Sequence, residues 1–482
     1  MLIRDADIRG HGRMDLRVAG ERIAAIGQLA PEPGERVIEA AGAALLPGLH
    51  DHHIHLAGLA ARRASVVCGP PEVTTPEELA ERLRRPGSGW LRGVLYHESV
   101  MGLPDARALD AINAARPLRI QHRGGRMWLL NSLALDLLLA RAAPPPGLER
   151  EGGRFTGRLF DEDRWLAEAL GSAPPGLAEV SAELARFGVT GVTDMSPRND
   201  AAMAAHFAGE RASGALVQDI TVAGELSLGN LHPLGWHLGP AKLHLHEAAL
   251  PDPDEAARWI AAAHAQGRPV AIHCVTEVEL VFALALIEQA GQLAGDRIEH
   301  ASVASPELVA RIAELGLAVC VQPHFVAERG DRYLADVDPQ HHGDLYRLAT
   351  LASAGIALAG GSDAPFASAD PWAAMAAAVA RRTSGGQIIG PHEALTPEAA
   401  LALYLRDPAD FTRERTITLG CRADLCLLAQ PWGEARTHLS ADLVALTLAS
   451  GRLVHDGIAQ PPGERVARGQ PLARQDQRGG AL

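Results

Sequence analysis

The chain has 482 residues, 47% of them apolar and 21% charged, a composition of folded globular proteins and not of disordered or fibrous ones. Its 45 Lys and Arg stand against 58 Asp and Glu, a formal charge of −13 that argues against a nucleic-acid backbone as partner. The length exceeds one ordinary compact core, so a large barrel with an appendage or several domains is expected.

Of the 45 basic residues 44 are Arg, and Lys242 is the one lysine. Drift toward Arg codons explains the 44 but not the one. A lysine that persists in such a chain points to chemistry a guanidinium cannot do, because Arg stays protonated and is no amine nucleophile. Five cysteines, at 68, 274, 320, 421 and 426, show no close-spaced pairs of zinc-ribbon type, which excludes a disulfide scaffold and fits a reducing compartment. The N-terminus lacks the apolar core of a secretory signal, and no apolar run approaches the ~20 residues of a membrane span. A cytoplasmic location is therefore expected.

In chain order, strands are predicted at Leu2–Ile8, Asp15–Val18, Arg22–Ile26 and Arg36–Glu39, with a hairpin turn at Gly20–Glu21. A second strand-rich stretch closes the chain at Asp424–Leu428, Leu443–Leu448 and, after a turn at Gly451, Leu453–His455. Neither cluster can form a core alone, so the two ends are expected to share one sheet module. Between them eight short apolar runs alternate with helical stretches. They are Ala44–Leu49, Thr190–Asp194, Val217–Val222, Ala241–Leu245, Val270–Val275, Ile298–Ser302, Ala318–Gln322 and Ala357–Gly360. Helices are predicted at Pro253–Gln266, Val278–Gly291 and Pro306–Leu315, started by Asp/Pro or Ser-Pro and stopped by glycine. Eight units of this size are what a (β/α)8 barrel needs. The gap from about residue 56 to 185 is too long for one helix and must hold an inserted subdomain, with extra strands at Gly93–His97 and Leu118–His122. The expected division is a composite β-sandwich of 1–45 plus 415–460, a barrel of 46–414 and a polar tail of 461–482.

Histidine is abundant, at 21 residues, and four lie in Leu49-His50-Asp51-His52-His53-Ile54-His55. On an extended strand Asp51, His53 and His55 share one face and His50, His52 and Ile54 the other. A His-x-His pair at a strand end is a metal half-site. His273, His300 and Asp363 each end or follow a later run, and the C-terminal ends of barrel strands are where side chains converge. Lys242 lies in the fourth run, Ala241-Lys242-Leu243-His244-Leu245-His246.

Pro47-Gly48-Leu49-His50-Asp51-His52-His53-Ile54-His55 resembles the opening motif of the amidohydrolase superfamily, and the later Lys, His, His and Asp match that superfamily's ligands in order. The stretches at 124–134, 152–157, 297–301, 321–324, 361–365 and 422–425 are similar to its amidohydrolase-3 (YtcJ-like) branch, and the likeness runs from about residue 15 to 455. The resemblance implies an α/β fold, a (β/α)8 TIM-like barrel with a small β-sandwich from both chain ends and a subdomain inserted after strand 1. It implies a carboxylated Lys242 bridging two divalent metals, with His53, His55 and Asp363 on one and His273 and His300 on the other. Zinc leads the expected metals, with Mn, Fe, Co or Ni also compatible with such ligands. A metal-bound hydroxide would attack a carbonyl while Asp363 takes and returns the proton as general base and acid.

The sequence also departs from that branch. Arg126 replaces a common His after Gly, Cys274-Val275-Thr276-Glu277 follows His273, and His244 and His246 share the strand face of Lys242 as rival ligands. A single-metal site with unmodified Lys242 is the alternative. His324, Arg126, Trp128, Arg123 and His97 are candidate substrate-binding residues, while Cys274 reads as a buried inert thiol. The expected activity is hydrolysis of a non-peptide C–N bond in a small amide, cyclic amide, urea or carbamate. Ester hydrolysis, hydrolytic deamination or a non-catalytic scaffold are the alternatives. The expected partners are a small-molecule substrate and a second copy of the chain, with no nucleic acid and no membrane.

Overall fold

Gly48 is the point where the chain changes sheets. In the computed structural model, which describes residues 1–70, 72–87, 89–171 and 174–458, the run expected as the first barrel strand is split there. Ala44–Pro47 pairs antiparallel with Leu425–Leu428, whereas Leu49–Ile54 enters the barrel. A continuous apolar run hides such a break, because both halves are fully buried. Glycine is required at the junction, since a β-carbon would lie 2.3 Å from Thr190 Oγ1.

Eight parallel strands follow one another around the barrel. We number them β1 Leu49–Ile54, β2 Val189–Asp194, β3 Asp219–Gly224, β4 His237–His244, β5 Val270–Cys274, β6 Arg297–His300, β7 Ala318–Val321 and β8 Leu358–Gly360. β1, β2, β6 and β8 are buried at every position. Full burial removes any alternation from them: β8 reads as an apolar run, while β1 and β6 carry buried His, Asp, Glu and Arg side chains. Beyond β8 the Asp363 N–H donates to His53 O at 2.6 Å and the His55 N–H to Ala364 O at 2.8 Å, which ties the last strand back to the first. Helices on the outside start where the sequence signals predicted. Asp252 caps Pro253–Ala265, and Thr276 with Glu279 forms a capping box on Glu277–Ala290.

Both chain ends build a second sheet. Its order is Arg452–Asp456, Val444–Ala449, Leu425–Leu428, Ala44–Pro47, Leu2–Ile8, Gly12–Ala19 and Arg22–Gly27, with Val37–Glu39 also paired to Leu2–Ile8. Its apolar face, including Ile3, Leu16, Leu45, Leu425 and Leu446, is a core of its own. Among the described residues the insert after β1 carries six strands where two were expected: Leu148–Glu151, Arg154–Phe160, Met127–Leu130, Leu118–His122, Leu91–Tyr96 and Val66–Val67. Its two faces pack separate clusters, one around Tyr96 and Leu129, the other around Trp128 and Leu159. Among the described residues no helix is long and apolar enough to cross a membrane. The polar tail expected at 461–482 lies outside the described residues.

Candidate metal centre

Strand order and register bring the scattered histidines to one end of the barrel. His53 is the fifth residue of β1, and His55 follows the strand and opens the helix Leu56–Arg63. Lys242 pairs in register with Ala271, and two residues on His244 pairs with His273. His300 ends β6, and Asp363 lies three residues past β8. The imidazoles form a continuous arc. Ring centroids are 5.3 Å apart for His55 and His53, 4.9 Å for His53 and His300, 4.5 Å for His300 and His273, and 4.2 Å for His273 and His244.

Asp363 closes the arc. Its Oδ1 lies 3.0 Å from His55 Nε2 and 3.3 Å from His53 Nε2, so three ligand-type atoms converge on one small volume. The remaining ring nitrogens are held elsewhere. His53 Nδ1 is 2.5 Å from Glu299 Oε2, His55 Nδ1 is 3.1 Å from Ser196 Oγ, and His300 Nδ1 is 2.7 Å from Gln322 Oε1. Each pairing leaves Nε2 as the free ligand atom, the arrangement metal-binding histidines adopt. Among the described residues Lys242 Nζ and His300 Nε2, both buried, have no hydrogen-bond partner. Buried polar atoms are seldom left so. Two unsatisfied nitrogens beside two imidazoles and a carboxylate fit divalent metal ions as the missing partner. His53, His55, His273, His300, Lys242 and Asp363 are the residues that would hold them.

The backbone is bent to make this fit. His300 and Asp363 both take left-handed conformations, with φ of 74° and 52°. Non-glycine residues adopt that region at a cost, and such residues gather at functional sites.

Burial sets the electrostatics. It pulls the Lys242 amine down from its ordinary value, against the opposing carboxylates of Glu299 and Asp363. It pushes His300 down to about 3 and His244 to about 4, and takes His273 far down as well. Neutral imidazoles and a neutral amine are the forms that bind metals and add CO2. At Asp363 burial acts in the raising direction, but His53 and His55 outweigh it and hold the carboxyl well below its usual range.

His324 is buried, with Nε2 2.8 Å from Ser362 O, next in sequence to Asp363. The other four candidate substrate residues stay within the insert. Arg126 is exposed and paired with Asp161, Trp128 Nε1 donates to Asp163 Oδ1, His97 Nδ1 contacts Ser99 Oγ, and the Arg123 N–H donates to Tyr96 O. Among the described residues none of these four makes a hydrogen bond, ion pair or ring contact with the histidine arc. Of the rival ligands, His246 instead accepts from the Ala248 N–H at 3.2 Å, while His244 remains stacked on His273. Cys274 is buried, with its thiol pushed well up by burial, as an inert thiol should be.

Glu299, Gln322, Ser196 and Asp51 were missed as supporting residues. Asp51 accepts from the Ser362 and His53 N–H groups and so holds β1 to the segment after β8. The signal for Glu299 was present in Arg297-Ile298-Glu299-His300, where two charged residues share one face of a strand in a barrel interior. A cavity of about 680 Å³ lies at the opposite, N-terminal end of the strands, lined by His50, Asp219, Arg268, Arg297 and Arg415 among others. It contains none of the six candidate ligands.

A family model for the amidohydrolase family, Amidohydro_3, matches residues 36–455. The chain is 26% identical over 497 residues to an N-substituted formamide deformylase of Arthrobacter pascens, covering 88% of this chain and 92% of that protein. It is equally 26% identical over 485 residues to YtcJ of Bacillus subtilis (strain 168), covering 88% and 91%. A metal-dependent hydrolase from Pyrococcus horikoshii has the same fold, with a TM-score of 0.74 at 19% identity over 91% of this chain and 99% of that one. A second, from Pyrococcus furiosus, gives 0.72 at 22% identity over 89% and 98%.

Proposed function

The chain belongs to the Amidohydro_3 amidohydrolase family and is a hydrolase, and from that premise we propose that it splits a non-peptide C–N bond in a small amide, cyclic amide, urea or carbamate. The observation that carries the reading is the convergence of His53, His55, His273, His300 and Asp363 around a buried, unpartnered Lys242 amine. A protein that only served as a scaffold would have no use for that set.

In this reading the Lys242 amine adds CO2, forming an N–C bond and releasing one proton. The resulting carboxylate would supply a two-oxygen anionic ligand for divalent ions that His53, His55, Asp363, His273 and His300 would hold. Divalent ions held there supply Lewis acidity toward a carbonyl and activate water at neutral pH. Asp363 moves the proton. Its Oδ1 takes it from the attacking water as the carbon–oxygen bond forms and gives it to the nitrogen as the C–N bond breaks. The His53 and His55 imidazoles hold its carboxyl well below the usual range, which keeps it ionised at neutral pH.

N-substituted formamides are the first substrates to test, because the Arthrobacter relative carries that name. Phe366, 57% exposed and edge-on to His55 at 5.7 Å, offers an apolar contact for a substituent on the nitrogen. The test is metal content and hydrolysis of a panel of formamides, lactams, ureas and carbamates, using protein prepared without chelator. One or two divalent ions per chain with turnover of one panel class is the expected result. Less than one ion per chain would overturn the reading.

A further inference from the structure

The carboxylate of Glu299 is fully buried in the barrel and holds two partners. One oxygen, Oε2, is 2.5 Å from His53 Nδ1, and the other, Oε1, accepts from Arg297 Nε at 2.6 Å. Arg297 is itself 3% exposed. Its Nη2 donates to His52 O at 3.4 Å and its guanidinium lies 4.8 Å over the Phe411 ring. A charged pair in such a place costs desolvation energy that apolar residues of similar volume would avoid.

We propose that Glu299 is a positioning residue of the metal centre, fixing His53 as the tautomer protonated on Nδ1 so that Nε2 is the ligand atom, with Arg297 holding the carboxylate in place. The inference rests on the metal-centre reading above. An imidazole free to carry its proton on either nitrogen presents its lone pair toward Asp363 only part of the time. The hydrogen bond to Glu299 removes that freedom and raises the basicity of Nε2. The alternative, that Glu299 is itself a ligand with His53 Nδ1 and Cys320, fails on distance. Two donors each ~2.1 Å from one ion lie about 3.0 Å apart at octahedral and about 3.4 Å at tetrahedral angles, and 2.5 Å between Nδ1 and Oε2 is a hydrogen bond instead. Glu299 is fully buried and its two oxygens are taken by His53 and Arg297, so it acts through His53 and not on substrate.

The test is zinc affinity of the metal-stripped full chain, measured by competition with a chromophoric chelator, for wild type, Glu299→Gln and the double variant Arg297→Met/Glu299→Gln. The single variant leaves Arg297 buried without its anion and can lose stability for that reason alone. The double variant adds no buried unpaired charge and retains only a neutral acceptor for His53. The expected result is a loss of about 10- to 100-fold in zinc affinity in both variants, with the thermal midpoint of the stripped double variant close to wild type. A purely structural pair would change the midpoint and not the affinity. A folded double variant binding zinc within about threefold of wild type overturns the positioning role while leaving the metal centre standing. A wild-type chain that binds no zinc overturns both.

Discussion

A β-carbon on Gly361 would fall 2.4 Å from the Cβ of His53 and 2.6 Å from its backbone nitrogen. The segment after β8 therefore passes directly over the strand that carries the first ligand, and two residues later the Asp363 N–H donates to His53 O. Gly361→Ala should force the two apart. Overpacking of this kind costs about 1–3 kcal/mol, and here it also separates Asp363 from His53. The expected outcome is a lowered thermal midpoint together with less than wild-type metal, read by calorimetry and metal analysis. A variant with normal metal and midpoint would show that this closure is loose.

Lys242→Arg tests the one lysine. A guanidinium cannot add CO2 and stays charged, so the variant should hold at most one metal per chain and lose at least about 100-fold in kcat/KM, the scale of removing an activating ligand. Reloading stripped wild-type protein in CO2-depleted buffer should likewise give low metal content, restored by bicarbonate. Wild-type metal and activity in Lys242→Arg would end the bridging role.

Asp370 caps the helix Pro371–Ala380 by accepting from the Trp372 and Ala373 N–H groups. Burial holds its carboxyl up at about 6, against 3.8 ordinarily. A carboxyl raised on folding contributes stability that is complete below the ordinary value and is lost as pH rises through about 6. Asp370→Asn keeps the cap without the charge. It should be more stable than wild type by about 1–2 kcal/mol near about pH 8, with roughly half that gain near about pH 5. Denaturant midpoints at the two pH values measure this, and a pH-independent difference would contradict it.

Arg381 is 1% exposed and donates at 3.0 Å to each of three main-chain carbonyls, those of Leu345, Tyr346 and Ile389. Arg381→Met fills the volume but strands those carbonyls, for a loss of about 2–4 kcal/mol. Urea unfolding should show it, with metal content of the folded fraction unchanged.

What could be read before folding was whatever is local or strictly periodic. The His-rich strand end at 50–55 and the strand-end positions of His273 and His300 are short-range patterns, and Lys242 stood out by composition alone. The supporting shell was hidden because its pairs are remote in sequence. Glu299 meets His53 from 246 residues away, and nothing near either residue announces the other. Gln322 on His300 is a similar case across strands. The sheet change at Gly48 was masked by apolar residues on both sides, and four strands of the insert escaped because they are two to seven residues long and amphipathic in part. The insert residues Arg126 and Trp128 carry chemistry-capable groups, yet each is spent on a neighbouring carboxylate within the insert.

The pairing of Ala44–Pro47 with Leu425–Leu428 sets an order on the molecule's birth. Leu45 and Leu46 find their partners in Leu427 and Cys426, and one residue, Gly48, separates that contact from the strand bearing His53. A ribosome must release residue 425 of 482 before the first barrel strand is anchored at its base. Until then the leading half of the chain carries its His53–His55 pair without a finished cage to set it in. Leu425–Leu428 thus acts as the latch on the segment that leads into the first barrel strand.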